Sequence, residues 1–310
     1  MKPCLLGRIK AGTEVNMETY SLPRRLWRII YPALLFLAMQ FVIVFAVGMT
    51  AGLTIVFREI IGGAALNVAA LMDELLSYVS DYGMLITLIT NIVALAVFVP
   101  MWFRTRKNLE RYKGHGFLIS LLLVFGFFAG FNIIQMFIFS AVDILQYFPS
   151  YKELTNFMVG GPFWVQILAI GVIAPITEEI VFRGVIMGRM NWLPVWLSVI
   201  IQALLFGLAH MNLFQGMYAF LAGLLLGLIF VKYRSIVLVI AGHMAFNLAS
   251  VLAGEYLPED STWIAILALI VGAALAIFCA IFLIRRKGAK STRVVEQQIP
   301  DNPAPESPAI

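Results

Sequence analysis

The sequence predicts an all-α, polytopic transmembrane helix bundle of about eight spans, with N-terminus and C-terminus both cytoplasmic. Three observations carry that prediction. Hydrophobic residues make up 61% of the 310 and charged residues 13%, about half the charged share of a soluble domain. Apolar stretches long enough, or nearly so, to cross ~30 Å of hydrocarbon recur along the whole chain. If those stretches alternate in direction, the basic residues fall almost entirely on one side of the membrane.

In order, the spans are expected at about Ile29–Val56, Tyr82–Trp102, Phe117–Val142, Pro162–Met190, Val195–His210, Met217–Val231, Ile236–Ala253 and Thr262–Leu283. The fifth and sixth are short. The segment between them, "MNLFQG", is uncharged and can lie within the membrane boundary. With a cytoplasmic N-terminus, 20 of the 22 Lys and Arg residues are inside, and only Arg58 and Lys152 are outside. The outer loops carry Asp73, Glu74, Asp81, Glu255, Glu259 and Asp260 instead. Between the first two spans, "IIGGAALNVAALMDELLSYV" is expected as an amphipathic helix on the outer surface.

The domain organisation follows. Residues 1–28 form a basic cytoplasmic tail with no cleaved signal peptide expected, and the first span reads as a signal anchor. Residues 29–160 hold the N-terminal transmembrane helices with the outer amphipathic segment. A core over 161–253 precedes a last helix at 254–284, and the Pro-rich end of the 285–310 tail is expected to be disordered. The chain is expected in a cell membrane as a multi-pass protein, and its compact form suggests a bacterial plasma membrane.

The net charge of +5 is topological and does not signal nucleic acid, because no basic stripe with interleaved aromatics accompanies it. Cys4 and Cys279 form no disulfide framework, and there is no CxxC or Cys/His zinc pattern.

One stretch breaks the apolar pattern. "APITEEIVFRG", Ala174–Gly184, places Glu178, Glu179 and Arg183 in a single span, where each charge costs roughly 2.5–3.5 kcal/mol on insertion scales. Glu179 and Arg183 stand at i,i+4 with the acid first, the favourable order for a salt bridge. Glu178 points about 100° away and is left without that compensation. Pro175 removes a backbone donor and is expected to kink the helix just before the pair, and irregular backbone at this depth is tolerated where it lines a cavity. From position alone, the second half of the span can equally lie among the headgroups, with all three charges solvated.

The histidines sharpen the choice. Of three, His115 sits in a basic loop, His210 ends "FGLAH" deep in one span, and His243 opens "HMAFN" inside another. His243 and Asn247 share a helix face at i,i+4. A carboxylate, two imidazoles and a carboxamide from three neighbouring spans point to a polar site within the membrane.

The motifs EExxxR (Glu178–Arg183), FxxxH (Phe206–His210) and HxxxN (His243–Asn247) occur in this order. With them the chain resembles the CPBP family of intramembrane proteases, which covers the type II CAAX prenyl endopeptidases and the bacteriocin-processing or immunity (Abi) proteins. The resemblance spans about Phe163 to Ala253. It implies a glutamic endopeptidase that needs no cofactor and cleaves a membrane-associated peptide or protein, lipidated substrates included. By resemblance Glu178 is the general base on a water, His210 helps hold that water, and His243 with Asn247 stabilises the oxyanion. Glu179 and Arg183 form the supporting ion pair, and Phe206 packs near the site.

The chemistry is consistent with those roles. Peptide hydrolysis needs a base, a positioned water and donors aimed at the developing oxyanion. Three other readings stay open: a zinc-dependent protease using Glu178 and the two histidines, a proton-coupled transporter, and a non-catalytic immunity or scaffolding protein. Depth along the helices strains the shared site, since at 1.5 Å per residue His210 lies roughly 20 Å and His243 roughly 10 Å from the inner ends of their spans.

Overall fold

The computed structural model describes residues 20–63, 67–105, 116–158, 161–257 and 261–288. Among them every regular element is helical. The helices are α1 (Leu22–Ile61), α2 (Val68–Thr105), α3 (Phe117–Ala141), the short α4 (Ile144–Tyr147) and α5 (Pro149–Met158), and the composite α6 (Phe163–Arg189). They continue with α7 (Val195–Ala209), α8 (Leu213–Tyr233), α9 (Ile236–Tyr256) and α10 (Thr262–Arg285). The N-terminal tail to residue 19, the loop holding His115 and the C-terminal tail from residue 289 lie outside the described residues.

Among the described residues, seven helices are long and apolar enough to cross a membrane. The fifth expected span is α7, whose 15 residues rise only ~22 Å, short of the ~30 Å core. The helices α1 and α2 are longer than their expected spans, at 40 and 38 residues. The stretch expected as an outer amphipathic helix is not a separate element. Its first residues end α1, and Val68–Val79 begins α2 without a break into the second span. Arg58 near the end of α1 grips Glu74 of α2 through two bonds, at 2.7 and 2.6 Å. Glu74, expected on the outer surface, therefore links two long antiparallel helices.

The α7–α8 hairpin is tighter than "MNLFQG" suggests. Asn212 accepts from Gln215 N–H at 3.1 Å and caps α8. Only His210, Met211 and Asn212 remain outside helices, and Met211 turns the chain at φ 53°. The two helices touch backbone to backbone, since a Cβ on Gly207 would fall 2.6 Å from the Gly216 carbonyl oxygen. Small residues at such crossings are the usual means of close packing in lipid.

Two apolar cores flank α6. One joins α1, α2, α6 and α7 through Phe36, Phe98, Phe182, Ile186 and Phe206. The other joins α3, α8, α9 and α10 through Phe128, Leu226, Leu238, Phe246 and Cys279. Large apolar side chains such as Phe45, Trp263 and Ile284 stand exposed around the bundle, as required of a surface solvated by lipid.

Candidate active site

Where a kink is expected, α6 shows a change of helical winding. The helix is π-wound over Ile167–Ile173, α-helical over Ala174–Glu179, and π-wound again over Ile180–Ile186. In the first π segment the Ala174 N–H bonds the Ala169 carbonyl, five residues back. The next rung would run from residue 175 to Ile170, but proline has no N–H. Asn247 of α9 fills the gap, its Nδ2 donating to the Ile170 carbonyl at 2.8 Å. The close approach of α9 depends on Gly171, where a Cβ would lie 2.4 Å from Leu248 Cδ2. Interrupted winding of this kind is frequent at functional sites.

Just beyond Pro175 the two carboxylates part company. Glu179 and Arg183 are both fully buried, and Arg183 Nη1 donates to Glu179 Oε1 at 2.7 Å. The alternative of a solvated pair is excluded. The same Oε1 accepts His243 Nδ1–H at 2.8 Å, since a carboxylate oxygen only accepts. Arg183 Nη2 donates to the Gly223 carbonyl of α8 at 3.1 Å, and Gln202 Nε2 of α7 reaches that carbonyl at 2.9 Å. Thr177 ties the same stretch to α2 by donating to the Asn91 carbonyl at 3.3 Å.

Glu178 has none of these restraints. Its side chain keeps 17% of its exposure, and its Oε2 stands 3.6 Å from His243 Nε2, beyond hydrogen-bonding distance. No hydrogen bond holds its carboxylate among the described residues. His243 therefore stands between the two glutamates, with Nδ1 bonded to the buried one and Nε2 facing the accessible one.

Phe206 joins the remaining motif to this cluster. Its ring meets His210 edge-on at 4.8 Å, His243 at 5.6 Å and Phe182 at 5.1 Å. The Arg183 guanidinium lies 4.6 Å from its centroid, a cation–π contact in a desolvated setting. His210 Nδ1 donates to the Phe206 carbonyl at 2.8 Å, so in the neutral ring Nε2 is left as an acceptor. His210 lies within electrostatic reach of Glu178, His243 and Arg183. His210 and His243, from different helices, thus meet on one Phe206 ring.

All seven residues singled out in the sequence fall in this region. Four participants had no motif to announce them: Gln202, Gly223, the Ile170 carbonyl and Tyr218. Gln202 is a lone, fully buried amide in "VIIQALL", a pattern that invites the question of what it bonds. Tyr218 packs its ring against Tyr151 and Phe214, but among ten tyrosines nothing marks it.

Helices of this length and apolarity, closed on a buried ion cluster, define a multi-pass helical membrane protein. Residues 160–249 match the family model described as Type II CAAX prenyl endopeptidase Rce1-like, and that window holds all three motifs of the CPBP resemblance. At family level the match supports a CAAX-type intramembrane protease with a protein substrate. No curated protein and no solved structure matches the chain.

Proposed function

We propose that the chain is an intramembrane endopeptidase that hydrolyses a peptide bond of a membrane-associated protein or peptide with a water activated by Glu178. The observation that carries this reading is the divergence of adjacent carboxylates. Glu179 is buried and engaged by Arg183 and His243, whereas Glu178 is accessible and unbonded. Pairs of acids driven into unlike environments are how one site separates a structural from a reacting carboxylate.

In the proposed reaction Glu178 takes a proton from water as the water oxygen attacks the scissile carbonyl carbon. His210 Nε2 accepts from the same water and fixes its direction. His243, held by Glu179 through Nδ1, turns Nε2 toward the place where the oxyanion develops. Asn247 uses one Nδ2 hydrogen on Ile170 and offers the other to that oxyanion. Collapse of the tetrahedral intermediate breaks the C–N bond, and the proton held by Glu178 passes to the leaving amine. The products are a new carboxylate and a new N-terminus.

One observation favours a second reading. Each histidine has its Nδ1 backed by an acceptor, Glu179 for His243 and the Phe206 carbonyl for His210, the backing that metal-bound histidines commonly have. Against it, no group of three or more His, Cys, Asp or Glu side chains among the described residues is arranged to hold a metal. Cleavage of a fluorogenic membrane peptide by purified protein, before and after exhaustive chelation, tests both readings. Retained cleavage supports the water-only mechanism. Loss that zinc restores at one ion per chain moves Glu178, His210 and His243 to ligand roles. No cleavage of any prenylated or unmodified peptide, by wild type and Glu178→Gln alike, favours an immunity or scaffolding role.

A further inference from the structure

At the end of the bundle away from α5, where α1 begins and α6 ends, four arginines converge. Arg24, Arg25 and Arg28 occupy the first two turns of α1, which has no acidic residue in its first turn and no side-chain cap. Cations at a helix N-terminus oppose the macrodipole. Arg189, from the last turn of α6, adds a fourth like charge by donating Nη1 to the Arg28 carbonyl at 2.9 Å. Among the described residues, no salt bridge joins Arg24, Arg28 or Arg189 to a carboxylate.

The guanidiniums are held instead by aromatic faces. Arg24 and Arg28 each lie 4.8 Å from the Tyr20 ring, Arg25 5.3 Å from Trp192 and Arg189 5.0 Å from Tyr31. Two donors, Arg28 Nε and Trp192 Nε1, are buried without a hydrogen-bond partner. A buried donor left unmade costs far more than one that is satisfied. Repelling charges, an opposed helix dipole and orphaned donors are all relieved by one kind of group, an anion with several acceptor oxygens.

We infer that this cluster binds the phosphate of an acidic phospholipid headgroup. Location selects a lipid over a soluble anion. The cluster lies at the end of two membrane-spanning helices, beside Leu22, Leu26, Trp27 and Ile30, all exposed apolar side chains. Tryptophan and tyrosine mark headgroup depth in membrane proteins. A lipid placed there has its chains against that apolar strip and its phosphate among the guanidiniums, whose planar forks suit phosphate oxygens. The inference is independent of the protease reading.

The test is lipid retention by the full chain, measured by native mass spectrometry from micelles doped with phosphatidylglycerol or phosphatidylcholine, with thermal unfolding beside it. Wild type should retain phosphatidylglycerol selectively and unfold at a higher temperature with it. Each basic residue near an anionic surface is worth about fivefold in affinity, so Arg28→Gln with Arg189→Gln should lower retention roughly thirtyfold. Should that pair fail to fold, Arg24→Gln, at an exposed position, should still lower retention about fivefold with unchanged unfolding in lipid-free micelles. Arg234→Gln with Arg285→Gln removes equal charge elsewhere and should leave retention intact.

Equal loss in that control, or none in the Arg24 and Arg28/Arg189 variants, overturns the inference. Equal protection by inorganic phosphate shows a soluble-anion site instead. A severalfold rise in retention on replacing Glu14 and Glu18 of the tail with Gln shows that the chain fills the cluster itself.

Discussion

Asn247 Nδ2 donates to the carbonyl of Ile170 at 2.8 Å, and that bond gives one residue two duties. It satisfies the rung that Pro175 cannot supply, and in the proposed reaction it leaves a second N–H for the oxyanion. Asn247→Ala should therefore lower stability as well as rate. An orphaned buried carbonyl costs about 1–3 kcal/mol, while loss of an oxyanion donor elsewhere costs about 10²–10³ in kcat. Unfolding midpoints and kcat measured on the same preparation separate the two. A fall in stability alone, with normal kcat, would leave Asn247 as a helix strut and send the search for the donor elsewhere.

Glu178→Gln should abolish cleavage and leave folding unchanged. The amide keeps the shape but cannot accept a proton from water. The native carboxylate has no hydrogen bond to lose, its nearest charged group being His243 Nε2 at 3.6 Å. Wild-type turnover by the Gln variant would remove Glu178 from the role of base.

Much of this was legible in the sequence because hydrocarbon makes charge conspicuous. Glu179 and Arg183 announced an ion pair through spacing and sign alone, and the apolar stretches announced their helices. Three features were not legible. A short apolar run does not reveal its depth, so α7 looked like a full span. The loop between α1 and α2 hid the continuity of Val68–Val79 with the second span, because hydropathy falls where Asp73 and Glu74 stand although the helix does not stop. Pro175 marked a kink and not a change of winding, and nothing near it in the sequence shows that Asn247, 77 positions from Ile170, takes the freed carbonyl.

Gln202→Leu should be tolerated with a moderate loss of stability, on the order of 1 kcal/mol. The Gly223 carbonyl loses one of two donors and retains Arg183, so the ion cluster stays in place. Chemical denaturation should shift its midpoint while KM is unchanged. A complete loss of folded protein would mean that Gln202 holds α7 against α8 more strongly than its bonds to Val199 and Gly223 indicate.

The Glu179–Arg183 pair separates fold from function most clearly. Removing one partner of a buried pair typically costs about 3–5 kcal/mol, because the other charge is left uncompensated. Glu179→Ala alone should therefore reduce folded yield sharply. Replacing both, as Glu179→Leu with Arg183→Met, removes both charges from an interior where Glu179 Oε2 and Arg183 Nε already lack partners. Apolar replacement of a whole buried pair is often neutral or better, so the double variant should recover most of the thermal stability lost by the single one. It should not recover cleavage, because His243 Nδ1 then faces no carboxylate and its Nε2 is no longer held toward Glu178. A double variant that is both stable and active would show that Glu179 serves the fold alone. One as unstable as Glu179→Ala would mean that the bonds of this pair to His243 and Gly223, more than charge balance, hold the helices together.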